Sequence, residues 1–377
     1  MKPIYLDYNA TTPIASEVVE AMQPYLDEHF GNPSSSHYYG KKAQKAVENS
    51  RKQVADLIKA KPNEIVFTSG GTESNNYAIL GTAYSHSQEK GHIITSQIEH
   101  PAVINVCKKL EGLGYEISYV PVDKFGKVKL GTLRDSIRKD TILISIMYAN
   151  NEIGTIQPVD SIAKIAREND IIFHTDAAQA VGKIPIDVRK SKIDLLSIAG
   201  HKFYAPKGVG ALYVKKGIEL ENLMFGAGQE QGRRPGTENV VEIVGLGRAA
   251  QLARTNMGSA SKHMTKMRDK LYELITESEL EFIRNGDPKQ CLPNTLSLSF
   301  ADVNSIDVMR QCDKVAFSTG SACHSAKDKI SGVLQSIGVP DRYAAGTVRL
   351  STGKYTKTKD IKTAAQEIIE IIRQLKR

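Results

Sequence analysis

Over its first two-thirds the chain alternates short apolar runs with stretches of helical period. The segments "EIVFTS" (64–69), "HIITSQ" (92–97), "EISYVPV" (116–122), "ILISIMYA" (142–149), "IIFHTD" (171–176), "LLSIAG" (195–200) and "GALYVKK" (210–216) read as strands. Several are almost continuously apolar, as strands buried on both faces are. Between them, Ala43, Ala46, Val47, Val54, Leu57 and Ile58 fall on one helical stripe. A second helix, "PAVINVCKKLEGLG" (101–114), is opened by Pro101 and closed at glycine. Alternation on this scale predicts a mostly parallel sheet with helices on both faces. After about residue 255 the pattern changes: a long polar helix over roughly 258–278 precedes strand-like "NTLSLSF", "VAFSTGS" and "GTVRLSTG". A last helix over 360–376 carries Ile361, Ala364, Ala365, Ile368, Ile372 and Leu375 on one face. This part reads as a smaller α+β domain.

Composition narrows the class. The 377 residues leave room for about two domains. There is no run of 18 apolar residues, so no membrane-spanning helix is expected. The start "MKPIYLDYNATTP" lacks an apolar leader core, and a cytoplasmic enzyme is expected. Cysteines at 107, 291, 312 and 323 are too sparse for a disulfide framework and form no Cys-x-x-Cys pair. With histidines that do not cluster at ligand spacings, no metal site is expected. Cys107 shares a helix stripe with Val103 and Leu110 and reads as core. Net charge is +8 and the isoelectric point is near 9.0. That charge reads as solvated helix faces, or as an attraction for anionic substrates, acidic protein partners or tRNA.

In open α/β sheets ligands bind beyond the carboxyl ends of the strands. After the first strand comes "GGTESNN", where two glycines and the start of a helix can either cap that helix or cradle a phosphate. It is neither a Walker loop nor a dinucleotide fingerprint. Asp176 ends an apolar strand, either as the cap of a following helix or as a fixed negative charge on a ligand nitrogen. Lys202 follows "LLSIAG" and is either a surface lysine or a desolvated, nucleophilic amine. A phosphate cradle, an aspartate for a ring nitrogen and a lysine for an aldehyde are together the parts that pyridoxal 5'-phosphate (PLP) needs. Cys323 lies in "STGSACHSA" (318–326) among small and hydroxyl side chains, as either a packed thiol or a nucleophile.

The chain resembles the NifS/IscS-like cysteine desulfurase and selenocysteine lyase family of class V, fold-type-I PLP enzymes. The resemblance runs from "YLDYNATTP" (5–13) to "VRLSTG" (348–353). It includes "FGNPSS", "FTSGGTESNN", "EHPAV", "ANNEIG", "HTDAAQAVGK", "GHKFYAPKGVGALYV", "RRPGTEN" and "GSACHS". It implies a large PLP-binding domain (15–255) with a mostly parallel seven-stranded sheet flanked by helices. A small α+β domain (1–14 and 256–377) would carry the cysteine loop.

The same resemblance implies roles. Lys202 would carry the PLP Schiff base, and His100 would stack on the ring and take part in catalysis. Asp176 would pair with the ring nitrogen and Gln179 with the phenolic oxygen; Gly71, Thr72 and His201 would hold the phosphate. Thr237 would reach the phosphate of a partner subunit, which implies a homodimer. Asn151, also a cofactor contact, and Arg349 would bind the substrate carboxylate. Cys323 would attack the substrate sulfur or selenium as a thiolate, with His324 or His100 assisting as base or acid.

The implied substrates are L-cysteine and L-selenocysteine, with L-alanine as product and a sulfur or selenium acceptor protein as possible partner. Neither a membrane nor direct nucleic-acid binding is expected. "FGAGQEQGRRPGTEN", "HKFYAPK", "SACHS" and "SGVLQSIGVP" lean to the selenocysteine lyase branch, as does Ala199, where housekeeping desulfurases usually carry a serine. Pro101 leans the other way, because mammalian selenocysteine lyases have an aspartate there. On balance the motifs lean narrowly to selenocysteine lyase, with a cysteine desulfurase forming a Cys323 persulfide for iron–sulfur cluster assembly or tRNA thiolation as the alternative. The rival classes are a PLP aminotransferase or decarboxylase, a sulfur-relay scaffold and a tRNA-binding module.

Overall fold

The computed structural model describes residues 2–86, 90–320 and 330–377. In chain order the strands are β1 Ile4–Tyr5, β2 Ile65–Thr68, β3 His92–Ser96, β4 Glu116–Val120, β5 Thr141–Ser145, β6 Ile172–Asp176, β7 Leu195–Ala199, β8 Gly210–Val214, β9 Phe282–Asn285, β10 Thr295–Phe300, β11 Val315–Ala316, β12 Ser318–Thr319 and β13 Thr347–Ser351. Seven of them form one sheet in the order β2-β8-β7-β6-β5-β3-β4. Only β8 runs against its neighbours in that sheet; the other adjacent pairs are parallel. The seven apolar runs read from the sequence are these seven strands.

Both faces of the sheet are covered. Ile65, Phe67, Ile144, Phe173, Leu196 and Ile198 pack with Val47, Val54 and Ile58 of the helix Tyr38–Ile58. On another part of the sheet, Ile93 and Leu143 meet Val103, Cys107 and Leu110 of the helix Pro101–Glu111. Cys107 is fully buried there, as its stripe position predicts. A second core gathers Leu296, Leu298, Phe300, Val348 and Leu350 with Ile361, Ile368 and Ile372 of the helix Thr358–Leu375. Its sheet has the order β12-β13-β10-β9. The strand β9 escapes a reading by pattern because "FIRN" is short and half-buried.

The long helix starts at Val240, well before residue 258, and ends at Thr276. Gly245 and Gly247 weaken its opening turns as a sequence signal, but Ile243, Leu246 and Ala249 pack into the first core. Met267, Leu271 and Ile275 of the same helix pack into the second. One rigid rod therefore serves both cores. We propose the division into residues 15–255 and residues 1–14 with 256–377, with the boundary inside this helix. The amino-terminal segment belongs with the second core through Leu6 and the parallel pairing of Ile4 with Val315.

The edge strand β2 is closed by side chains. Arg51 Nη1 donates to Ile65 O at 2.9 Å, and Phe67 N donates to Glu230 Oε2 at 2.8 Å. Arg51 and Glu230 join in a two-pronged pair at 2.7 and 2.8 Å. Both are buried, and Glu230 adopts a positive φ of 49° to reach its place. An exposed edge invites a foreign strand, and this pair fills its backbone groups instead. Glu230→Ala should cost on the order of 3–5 kcal/mol, because buried Arg51 keeps only the exposed carboxylate of Glu48 as a partner and Phe67 N loses its acceptor. Urea unfolding of the variant checks this, and an unchanged midpoint would show that the pair does not hold the edge.

Candidate active site

The carboxyl ends of β2, β6 and β7 converge on one place. Beyond β2, Gly70 precedes the helix Gly71–Ser85. Its first ladder bond runs from Ser74 N to Gly70 O, so the amides of residues 71–73 precede the ladder. Two glycines let this turn approach the sheet. A Cβ on Gly71 would come within 3.2 Å of Ala199 Cβ, and one on Gly210 within 2.7 Å of Gly70 Cα. A helix amino-terminus pressed so close to the strand ends is a site for an anion.

Beyond β6 the chain turns and does not continue into a helix. Asp176 Oδ1 accepts from Ala178 N at 2.9 Å, and Asp176 Oδ2 accepts from Asn75 Nδ2 at 2.7 Å. Asn75 Oδ1 is buried and has no hydrogen-bond partner among the described residues. Beyond β7, a single 3-10 turn carries Lys202. Its Nζ donates to Asn9 O at 2.7 Å and Ala10 O at 2.9 Å. Burial, then the Arg349 charge, lowers the Lys202 pKa to about 8, against the pull of Asp176 and Asp7.

Two histidines flank the amine. His100 caps the helix Pro101–Glu111, its Nδ1 accepting from Ala102 N at 3.1 Å. Burial and Lys202 lower its pKa while Asp176 opposes them. A neutral ring with an accepting Nδ1 carries its proton on Nε2. His201 Nδ1 lies 3.1 Å from Thr11 Oγ1. Burial, with Lys202, Lys207 and Lys183, takes its pKa to about 4, so it too is neutral near pH 7.

Arg349 stands on β13, where Nη2 donates to Asp7 Oδ1 and to Ser318 Oγ, each at 2.8 Å. Its Nη1 donates to Asn151 O at 3.2 Å, and its Nε is buried without a partner. A cavity of about 360 Å³ is lined by Gly71, Thr72, His100, Asn151, Asp176, Gln179, His201, Lys202 and Arg349. Nine residues read from the sequence thus meet at one place. Thr237 is exposed and outside that lining, on a stretch tied to the helix Gly71–Ser85 by Arg234 Nε donating to Glu73 Oε1 at 2.9 Å. Cys323 and His324 lie outside the described residues.

These groups fit PLP. A low-pKa amine suits its aldehyde, a buried carboxylate its ring nitrogen, and the amides at Gly71 and Thr72 its phosphate. Comparison with known proteins agrees. Residues 4–363 match the class-V aminotransferase family. The chain is 48% identical over 377 residues to the cysteine desulfurase IscS of Methanosarcina thermophila, covering 100% of this chain and 93% of that protein. It is 44% identical to the cysteine desulfurase of Mus musculus, covering 100% of this chain and 83% of the mouse protein. A solved NifS-like protein superposes with a TM-score of 0.93 at 38% identity, over 99% of this chain and 100% of that one. SspA in complex with cysteine matches at 41% identity and a TM-score of 0.83, over 94% and 99% of the two chains.

This chain belongs to the class-V aminotransferase family, on its cysteine desulfurase branch. Enzymes of this family depend on PLP, and the fold here is their fold type I. Set against it, the sequence reading missed four site residues. Asn9 supplies the carbonyl that holds Lys202, and its Nδ2 donates to Thr295 Oγ1 at 2.8 Å. Asp7 faces Arg349, Asn75 faces Asp176, and Lys183 is buried beside Gln179. Asp7 and Asn9 lie in "YLDYNATTP", and Lys183 ends "HTDAAQAVGK". The motifs are legible, but contacts across more than 100 residues are not.

The lowered pKa of Lys202 has a kinetic signature. An amine attacks an aldehyde only when neutral. With a pKa of about 8, roughly a tenth of Lys202 is neutral at pH 7, against less than about a thousandth of an ordinary lysine. Colour development after PLP is added to the apoprotein should accelerate about tenfold from pH 6 to 7 and level off above pH 8. A rate still climbing at pH 10 would mean that burial does not depress this amine.

Proposed function

We propose that this chain takes sulfur from L-cysteine, leaving L-alanine and a persulfide on Cys323. The observation that carries the reading is one cavity holding a low-pKa amine, a buried carboxylate, a helix amino-terminus and an arginine. The relatives named cysteine desulfurase support the choice of substrate.

Bound PLP supplies an aldehyde that condenses with amines and a ring that withdraws electrons from the substrate α-carbon. Lys202 holds the cofactor covalently at rest. Asp176 keeps a proton on the ring nitrogen, oriented by Asn75 and the Ala178 amide. Gly71, Thr72 and His201 would hold the phosphate, and His100 would stack on the ring. Gln179 donates to the phenolic oxygen. Arg349 binds the substrate carboxylate, with its unpartnered Nε free to donate, and Asn151 lines the same end. Neutral Lys202 Nζ would accept the substrate α-proton.

Cys323 Sγ, as thiolate, then attacks the substrate sulfur. An S–S bond forms and the substrate Cβ–S bond breaks, its electron pair passing to the carbon skeleton. Protonation at Cβ, and return of the α-proton by Lys202, complete L-alanine. The sum is L-cysteine plus a Cys323 thiol giving L-alanine plus a Cys323 persulfide, with no outside oxidant. His324 or His100 assists the proton transfers. Thr237 reaches the phosphate of a second copy, so the working unit is a homodimer. The persulfide passes to an acceptor protein.

A second reading takes L-selenocysteine as substrate, on the motifs around Gln229, Lys202 and Cys323 and on Ala199. A selenol is ionised at neutral pH and leaves more readily, so one site can act on both. The test is alanine formation from each amino acid by wild type, Cys323→Ala and Lys202→Ala. Cys323→Ala should abolish turnover of L-cysteine, and Lys202→Ala should slow both reactions by about 10²–10⁴-fold. Turnover of L-selenocysteine alone would establish the second reading. Cysteine turnover that survives Cys323→Ala would reject the persulfide route.

A further inference from the structure

The chemistry above leaves Lys183 unused. It is 4% exposed, in the irregular stretch after β6. Its Nζ donates to Gln179 Oε1 at 2.7 Å and to Asn9 Oδ1 at 3.1 Å. Both partners are neutral amide oxygens. The charged groups around it are Lys202 and Arg349, and with burial they hold its pKa well below that of an ordinary lysine. His201 feels its charge as well. Burying an amine among cations without a carboxylate is costly, so the arrangement calls for a return.

The return is orientation. An amide side chain can turn end for end, and its neighbours decide which end faces where. An amine that donates to Gln179 Oε1 settles that choice. Gln179 Nε2 then donates one N–H to Asn9 O at 2.9 Å, and its second N–H is left for the cavity that Gln179 lines. The same amine, with Asn294 Nδ2 at 2.9 Å, fixes Asn9 Oδ1. Asn9 Nδ2 is thereby directed to Thr295 Oγ1 and Asn151 O. With the amine gone, only the Nε2 donation to Asn9 O still opposes a turn of the Gln179 amide that would present its oxygen to the cavity.

We infer that Lys183 is a positioning residue: it locks the Gln179 amide so that an N–H, not a carbonyl oxygen, meets the phenolic oxygen of PLP. This rests on the reading of Gln179 under Proposed function. A donor at that oxygen favours its ionised form. Losing the donor should raise the pH midpoint of the bound cofactor's visible absorption by about one unit.

The test is a cycle of four holoenzymes: wild type, Lys183→Met, Gln179→Ala and the double variant. Each is titrated by visible absorption at saturating PLP, and the melting temperature of each apoprotein is recorded. Each single change should raise the midpoint by about one pH unit, and the double variant should move no further than Gln179→Ala alone. Lys183→Gln, which keeps one N–H for Gln179 Oε1, should restore most of the wild-type midpoint. Shifts that add in the double variant overturn the inference, because a direct charge effect of Lys183 would persist without Gln179. So does a Lys183→Met enzyme that melts differently but titrates like wild type. If Gln179→Ala itself leaves the midpoint in place, the reading of Gln179 falls and this inference falls with it. Should Lys183→Met not fold, Lys183→Ala, which also removes the N–H donor to Gln179 Oε1, runs the same cycle, and additivity there is equally decisive.

Discussion

An amine taken out of water must find oxygen atoms to receive its N–H groups, and here the segment after β1 provides them. Asn9 and Ala10 offer backbone carbonyls to Lys202, and the Asn9 side chain offers its oxygen to Lys183. The same residue is held from the other side, where its N–H donates to Ser351 Oγ and its Nδ2 to Thr295 Oγ1. A strand-end residue of the small sheet's neighbourhood thus closes the large sheet's active site. If Asn9 shifts, two buried amines lose their acceptors together, and the site cannot be built by either core alone.

The charges of the cavity follow from that construction. Among the described residues, Lys202 and Arg349 stand against Asp7, Asp176 and Glu152, while Lys183 lies among cations, which leaves an imbalance of charge. Two features ease the imbalance. Burial pushes both amines toward neutrality, and both flanking histidines stay uncharged at pH 7. What remains suits an anionic guest with a phosphate at one end and a carboxylate at the other. Asp7 is the resident counter-ion of Arg349, so a carboxylate bound at that guanidinium would share it with Asp7.

The rest of the fold keeps these ends in register. The Arg51–Glu230 pair closes the edge of β2 and fixes the stretch that leads to Thr237. The helix Val240–Thr276 lies in both cores and sets one against the other. Gly71 and Gly210 bring the turn before the helix Gly71–Ser85 down onto the strand ends.

Much of this could be read along the chain. All seven strands of the large sheet stand out as apolar runs, because strands buried on both faces leave no room for polar residues. Gly71, Asp176 and Lys202 stand out because they follow such runs directly. The sequence alone could not show that "YLDYNATTP" lies under Lys202, since nothing local in Asn9 marks a carbonyl as an acceptor for an amine 193 residues away. Nor could it show that the chain after Asp176 turns without forming a helix, because the carboxylate spends its oxygens on Ala178 and Asn75. Periodicity and strand-end residues are local consequences of burial, so the sequence by itself determined the sheet and its chemical parts. The pKa of Lys202, the pairing of Arg349 with Asp7 and the use of Lys183 depend on desolvation and on contacts between distant segments, and only the tertiary structure decides those.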